Sequence, residues 1–258
     1  MQAGPKHGLP FAWRKRSTMD KPFVVCHMLT SLDGKIDGAY MSDPGNAAAR
    51  TAYGELRKFY GCQATLYGTV TMKGSYADGL APALPTVTSP VSREDYLALS
   101  DVKNYIVSVD PQGELGFHSG YIEKKGRPRA HVIEVLTAQV NDAYLLYLQN
   151  TGVSYIFAGS EHLDCGLLLH KLKNKFGIDR LMIAGGGAMN ASFLQEDLID
   201  ELSLVISPLA DGNTTSVSIF ERGDFLPHRK PVAFSLIDAK PLDGDALWLR
   251  YAQKKETI

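Results

Sequence analysis

The stretch "DRLMIAGGGAMNASFLQEDLIDELSLVISPL", Asp179 to Leu209, decides the fold. A short apolar run, three consecutive glycines, an amphipathic segment and a second apolar run follow one another without interruption. Short apolar runs bounded by glycine read as buried strands, and "MNASFLQEDLID" carries apolar positions at helical spacing. The unit is strand, glycine turn, helix, strand, the repeat of an α/β sheet. Glycine has no Cβ, so a phosphate or a flat ring can approach the backbone at this turn, and the helix after it offers unpaired N–H groups to an anion. A tight strand-to-helix turn with close packing uses the same residues. The spacing is not the GxGxxG of a Rossmann dinucleotide turn.

Upstream the same alternation recurs. "PFVVCHML" from Pro22 is a strand, Asn46 to Phe59 a helix, "QATLYG" a strand and "GTVTMKGS" the start of a short helix. "NYIVSVD" and "AHVIEVL" are strands, and "NDAYLLYLQNTG" is a helix ended by Gly152, where a left-handed cap is favourable. "VSYIFAGS" and "CGLLLHKLKNKFG" add a strand and a helix before the glycine turn. Downstream, "ELSLVISPL", "PVAFSLIDAKPL" and "GDALWLRYAQK" are strand-like, with an "LDGD" turn between the last two, so antiparallel strands close a mostly parallel sheet. Residues 1–20 read as a disordered extension or an added leader, and 21–258 as one α/β domain.

Composition narrows the function. With 258 residues, 45% hydrophobic, 21% charged and a net charge of -1, the chain has the make-up of an ordinary globular protein with a full core. The N-terminal "KHGLPFAWRKRSTMDK" lacks the aromatic-basic interleaving of a nucleic-acid groove, so no nucleic-acid partner is expected. No apolar run reaches the length that crosses a bilayer, so no membrane partner is expected either. Three cysteines, Cys26, Cys62 and Cys165, form neither a CxxC pair nor a disulfide framework, and a reducing, cytoplasmic setting fits them. Seven histidines show no HExxH or His-Cys spacing, so no metal site is expected. His27, inside an apolar strand, reads as a satisfied core histidine. GxSxG and GxxxxGK[ST] motifs are absent.

Ligands of such sheets gather beyond the carboxyl ends of the strands. Four loops fall there. "AGGGAMNAS" holds Gly185, Gly186 and Gly187. "LYGTVTMKG" holds Gly68, with Thr69 or Thr71 placed to cap a helix or to bind phosphate. "TSLDGKIDG" crowds Ser31, Asp33, Lys35 and Asp37 after the first strand, where an Asx turn competes with a site. Gly159 and Ser160 make the fourth. Their shared position at strand ends favours one common site.

At these residues the sequence resembles the reductase domain of riboflavin biosynthesis, found alone or fused to a deaminase, within the dihydrofolate-reductase-like superfamily. The resemblance runs from Pro22 to Tyr251 and rests on "SLDGKI", "ARTAYGELR", "ATLYGTVT" and "LMIAGGGAMNASFLQEDLIDELSLVISPLADG". It implies a dihydrofolate-reductase-like three-layer α/β fold with a mixed, mostly parallel sheet of about nine strands and C-terminal antiparallel strands, a homodimer, and NADPH lying over the strand ends. Gly68, Thr69 and Thr71 are implied at the cofactor phosphates, Gly185, Gly186, Gly187 and Met189 at its nicotinamide half and diphosphate, and Gly159 and Ser160 at a further cofactor loop. Arg50 and Arg57 match arginines of the helix after the first loop and are implied at the substrate. Ser31 and Asp33 are implied at substrate and nicotinamide, Ser31 in hydrogen bonding and Asp33 in orientation or proton delivery.

The implied reaction is hydride transfer from NADPH to the sugar C1′ of a ribosylamino-pyrimidine phosphate, in which the protein chiefly aligns donor and acceptor. Two departures bear on it. Ala184 stands where many pyrimidine reductases carry Glu, and Lys73 and Ser75 stand where an acidic residue follows the Gly-x-x-Thr turn. The long segments Gly79 to Pro90 and Ser92 to Arg129 are expected to shape the substrate pocket. An alternative is a dihydrofolate-reductase-like oxidoreductase with a pterin or another C=C or C=N acceptor. A third reading, of a different class, is a nucleotide-binding protein without catalysis.

Overall fold

Strand β7 (Arg180–Ile183), the first run of the deciding stretch, lies inside a ten-stranded mixed sheet, parallel to β2 (Ala64–Gly68) on one side and to β1 (Phe23–Thr30) on the other. The structure is a computed structural model that describes residues 20–254 apart from 225, 228 and 229. Residues 1–19 of the expected N-terminal extension lie outside the described residues.

Beyond β2 the sheet continues, all parallel, through β3 (Tyr105–Val109) and β5 (Ala130–Leu136). The outer edge of β5 carries the two-residue β4 (Tyr121–Ile122), antiparallel, and β6 (Ser154–Phe157), parallel. Beyond β1 lie β8 (Glu201–Ile206), parallel, then β10 (Leu247–Gln253) and β9 (Phe234–Pro241), each antiparallel to its neighbour. The expected architecture is thus present, with the short β4 in addition. Two residues of extended chain between turns carry no readable alternation, so β4 leaves no sequence signal.

The period of two along each strand divides the sheet into two cores. Val24, Cys26 and Met28 of β1 face α4 (Cys165–Phe176) and α5 (Gly187–Gln195), where they pack with Leu168, Leu172 and Phe193. Val25 and Leu29 face the other way, onto α1 (Ala47–Tyr60). On that second face, Ile106 and Val132 pack with α2 (Thr69–Ser75) and α3 (Asp142–Thr151). The result is three layers.

Gly152 closes α3 at φ 72, as its position predicts. Helix α5 differs from expectation, running from Gly187 rather than Met189 and ending at Gln195 rather than Asp200. Leu198 and Ile199 are fully buried in the core between α5 and β8, and Asp197 takes φ 55 to turn the chain there. Burial of those two side chains outweighs the helical periodicity that "QEDLID" displays.

The basic face of α4 is absorbed structurally. Lys171 and Lys175 pair with Asp95, and Lys173 with Asp179. Asp95 belongs to a strap that also bridges Tyr96 to Tyr155 and Arg93 to Asp142, so much of the long segment before β3 braces the sheet edge. No described helix is long and apolar enough to cross a membrane, and no group of three or more potential metal ligands occurs among the described residues. Among the described residues the three cysteines are free.

Candidate active site

Because β2 and β7 pair in parallel, their carboxyl ends deliver two turns side by side. Ala184 N–H donates to Leu66 C=O at 3.1 Å, which sets Gly68 beside Gly185. Between these turns and the loop after β1 opens a cleft of about 760 Å³, lined by Gly68, Thr69, Thr71, Gly185, Gly186, Gly187 and Met189, with Ile36, Asp37 and Val217 on its rim. All seven cofactor-side residues expected at the two turns therefore meet in one cavity.

The three glycines serve different ends. None of them takes a left-handed φ. A Cβ on Gly185 would stand 3.1 Å from the Met189 side chain, and one on Gly187 would stand 2.5 Å from the carbonyl oxygen of Ser218. Gly187 is thus a packing glycine, set against the strap that covers the turn. A Cβ on Gly186 would meet nothing within 4 Å. Helix α5 starts here with no side-chain cap and no acidic residue in its first turn, so its first N–H groups face the cleft without a side-chain acceptor. This suits a negatively charged ligand. Across the cleft α2 likewise has no side-chain cap. The Thr69 hydroxyl donates to Val109 C=O at 2.8 Å and is occupied by that bond. Among the described residues none accepts from or donates to the Thr71 hydroxyl, which lines the cleft. Glycine backbone, helix N-termini without side-chain caps and a cavity of this volume fit a dinucleotide.

Ser31 and Asp33 are not among the cleft-lining residues. The Ser31 hydroxyl donates to Asp33 Oδ1 at 2.6 Å, and the Asp33 carboxylate accepts from the N–H groups of Asp211 and Gly212, both at 2.9 Å. These bonds, led by that from Ser31, hold the Asp33 carboxyl well below the usual carboxylate range. Such a group is ionised at neutral pH and has no proton to deliver. It staples the loop after β1 to the segment after β8, and Ile36 N–H to Val217 C=O at 2.8 Å extends the join to the cleft rim.

A second cavity, of about 480 Å³, adjoins the cleft between β2 and α1. It is strongly basic: Arg50, Lys58, Lys124 and Lys125 line it, and Glu55 is its one lining carboxylate. Arg50 is exposed there and donates to Met41 C=O at 2.9 Å. Both candidate arginines thus reach this cavity. Arg57 also reaches the cleft, since Arg57, Tyr67, Tyr76 and Arg127 line both spaces and form their common wall.

In that wall Arg57 donates to Thr65 Oγ1 at 2.9 Å and to the Tyr67 hydroxyl at 3.2 Å. Arg127 donates to the Tyr67 hydroxyl at 2.9 Å and to that of Tyr76 at 2.5 Å. The Tyr67 and Tyr76 rings are stacked, with centroids 4.5 Å apart. Burial raises the Tyr67 phenol, but the charges of Arg57 and Arg127, with bonds from Tyr76 and Arg127, outweigh it and leave the group below its ordinary value.

Sequence reasoning missed Tyr67, Tyr76 and Arg127. Tyr67 immediately precedes Gly68 and was readable as a strand-end neighbour of a site; Arg127 sits in a segment with no periodicity. Of the long segments expected to shape the pocket, only the part from Asn104 to Pro128 reaches a cavity; Gly79 to Pro90 reaches neither. Gly159 and Ser160 lie at the same sheet edge but three strands from Gly68, roughly 14 Å away, and outside both cavities. Gly159 at φ 126 packs against the backbone of His162, and Ser160 is exposed. His27 is buried as expected, bonded to Ser203 Oγ at 2.9 Å and Tyr53 C=O at 3.1 Å.

A mostly parallel sheet closed by antiparallel C-terminal strands, with a glycine-floored cleft over its carboxyl edge, defines an α/β fold of the dihydrofolate-reductase-like class. Comparison with known proteins narrows it: the family model described as RibD C-terminal domain matches residues 22–245. The chain belongs to the RibD C-terminal domain family. Among solved structures it is similar to a pyrimidine reductase-like protein from Corynebacterium diphtheriae, with TM-score 0.65, 16% identity, and 91% of this chain and 93% of that one covered. It also resembles Acinetobacter baumannii RibD, with TM-score 0.61, 22% identity, and 91% of this chain and 58% of that chain covered. At such identities these likenesses establish the fold. A curated relative from Methanothermobacter thermautotrophicus, 2,5-diamino-6-ribosylamino-4(3H)-pyrimidinone 5′-phosphate reductase, is 40% identical over 57 residues, 22% of this chain and 26% of the relative. An Archaeoglobus fulgidus protein of the same name is 32% identical over 68 residues, 26% of this chain and 31% of its own length. The matched stretch thus spans under a third of each curated relative.

Proposed function

We propose that the protein is an NADPH-dependent reductase that transfers hydride to a ribosylamino-pyrimidine phosphate. The observation that carries this reading is the wall shared by the two cavities. Arg57, Tyr67, Tyr76 and Arg127 line both cavities, so an acceptor whose phosphate lies in the basic cavity would bring its sugar C1′ past them into the cleft, against a nicotinamide on the glycine turn of α5. Family membership and the names of the curated relatives support the same acceptor. The bound cofactor supplies the hydride. The chain supplies position: N–H groups of α5 and the Thr71 hydroxyl would hold phosphate, Arg50 and Arg57 would hold the acceptor's charge, and the Ser31–Asp33 staple fixes the rim of the cleft.

A second reading, reduction of a different C=C or C=N acceptor such as a pterin, draws on Ala184. Its methyl group at the cleft leaves that position without a hydrogen-bonding side chain for a polar ring. The test is NADPH oxidation followed by absorbance with 2,5-diamino-6-ribosylamino-4(3H)-pyrimidinone 5′-phosphate and dihydrofolate as alternative acceptors. Turnover confined to the pyrimidinone supports the first reading, turnover confined to dihydrofolate the second, and tight NADPH binding without turnover on either a non-catalytic nucleotide-binding protein. A homodimer is part of the proposal. Leu236 and Ile237 of the edge strand β9 are exposed, and sedimentation at micromolar protein would detect the pairing.

A further inference from the structure

The phenol oxygen of Tyr67 accepts from three donors at once: Arg57 Nη2 at 3.2 Å, Arg127 Nη1 at 2.9 Å and the Tyr76 hydroxyl at 2.9 Å. A phenol has one proton of its own and two lone pairs, so three inbound donors exceed what the neutral hydroxyl can accept and are already in place for the phenolate that forms when it gives up its proton. Neither guanidinium has a carboxylate partner among the described residues. The charged and titratable groups around this oxygen come from three places in the chain: Arg57 and Tyr53 from α1, Tyr76 from the residue that ends α2, and Arg127 with Lys124 from the segment between β4 and β5. None is acidic. Two cations converging on one oxygen, in the wall between the two cavities, exceed what packing requires.

We propose that Tyr67 is the proton donor of the reduction. This rests on the hydride-transfer reading above. The ribosylamine first opens to its imine, the C1′–O4′ bond breaking as the N–H proton passes to O4′; hydride then adds to C1′ of that C=N and leaves an electron pair on nitrogen. The Tyr67 O–H bond breaks, its proton forms the new N–H bond, and the phenolate left behind is held by Arg57, Arg127 and the Tyr76 hydroxyl until water reprotonates it. The nicotinamide is the reductant, so atoms and electrons balance. Tyr76 and Arg127 are positioning residues. They ready the phenolate for its arrival, which favours the charge that develops in the transition state.

Two measurements test this. In the free protein, near-ultraviolet titration of tyrosinate should show one phenol ionising ahead of the rest, absent in Tyr67→Phe and moved to higher pH in Arg127→Met. In turnover with NADPH and the pyrimidinone phosphate, Tyr67→Phe should keep NADPH affinity but lose about 100-fold or more in kcat, and Arg127→Met should move the alkaline limb of the pH profile upward. Tyr67→Phe turning over within about threefold of wild type, or retaining the early-ionising phenol, overturns the assignment. Wild-type protein that binds NADPH but oxidises it with no acceptor instead sinks the reductase reading, and the donor role with it.

Discussion

Exchanging Gly186 and Gly187 for alanine, one at a time, separates the packing role of the glycine turn from its ligand role. The Gly187→Ala methyl would stand 2.5 Å from Ser218 C=O and 3.0 Å from Glu221 Cγ. The strap that carries these atoms is fixed: Glu221 N–H donates to Gly187 C=O at 3.1 Å, and Lys35 Nζ to Ser216 C=O at 3.0 Å. Relief requires backbone movement, and overpacking of this kind costs about 1–3 kcal/mol. The Gly186→Ala methyl meets nothing within 4 Å, at φ -71 and ψ 171, a conformation open to alanine. Loss of glycine at the N-cap and the smaller entropy of the unfolded alanine chain oppose each other, leaving stability within about 0.5 kcal/mol of wild type. That methyl projects where a dinucleotide would touch backbone, so NADPH affinity should fall by about tenfold or more, roughly 1.4 kcal/mol. Urea unfolding with a common slope reads the first quantity and fluorescence titration with NADPH the second. Gly187→Ala with wild-type stability, or Gly186→Ala with wild-type affinity, would refute the division of roles.

Other perturbations follow from the same contacts. Arg250 meets Glu201 through two bonds of 2.7 and 3.0 Å, and Tyr60 adds a third to the same carboxylate, so Arg250→Ala strands a buried charge and should cost about 3–5 kcal/mol in urea unfolding. Burial is the main cause that lowers His27 from 6.5 to about 4. Between those values the unfolded chain binds a proton that the folded one does not, so stability falls as pH drops from about 6.5 toward 4, by at most roughly 3 kcal/mol. A histidine NMR resonance for His27 titrating near its ordinary value would contradict this. Asp33→Asn leaves the Gly212 N–H facing an amide donor or an empty site; it should raise the KM for NADPH by loosening the rim while leaving the shape of the pH-rate profile unchanged. A lost limb in that profile would restore Asp33 to proton transfer. Asp33 bonds also predict stability that is complete above the unfolded carboxyl value, about 3.9, and that declines in more acidic solution.

The fold was legible because its signals are local. "AHVIEVL" coincides with β5, and the glycine run marks the end of β7, since short apolar runs and glycine punctuation act over a few residues. The end of α5 was not legible, because the burial of Leu198 and Ile199 is decided by the sheet beneath them. At the site, turns that follow adjacent strands could be read, and Gly68, Thr71 and Gly185 to Met189 do line one cleft. Asp33 was ambiguous in sequence because its partners Asp211 and Gly212 lie 178 and 179 residues away. The Tyr67–Arg127 bond spans 60 residues and joins a strand to an irregular loop, a pairing that no periodicity announces.

The most direct measurement is a crystal structure of the protein with NADP⁺. The account predicts phosphate oxygens at the first N–H groups of α5 and at the Thr71 hydroxyl, with the nicotinamide ring on Gly185 and Gly186 and directed toward the wall of Tyr67 and Arg127. A dinucleotide seated away from the glycine turn, or no density at saturating NADP⁺, would contradict it and leave the three glycines as a packed turn.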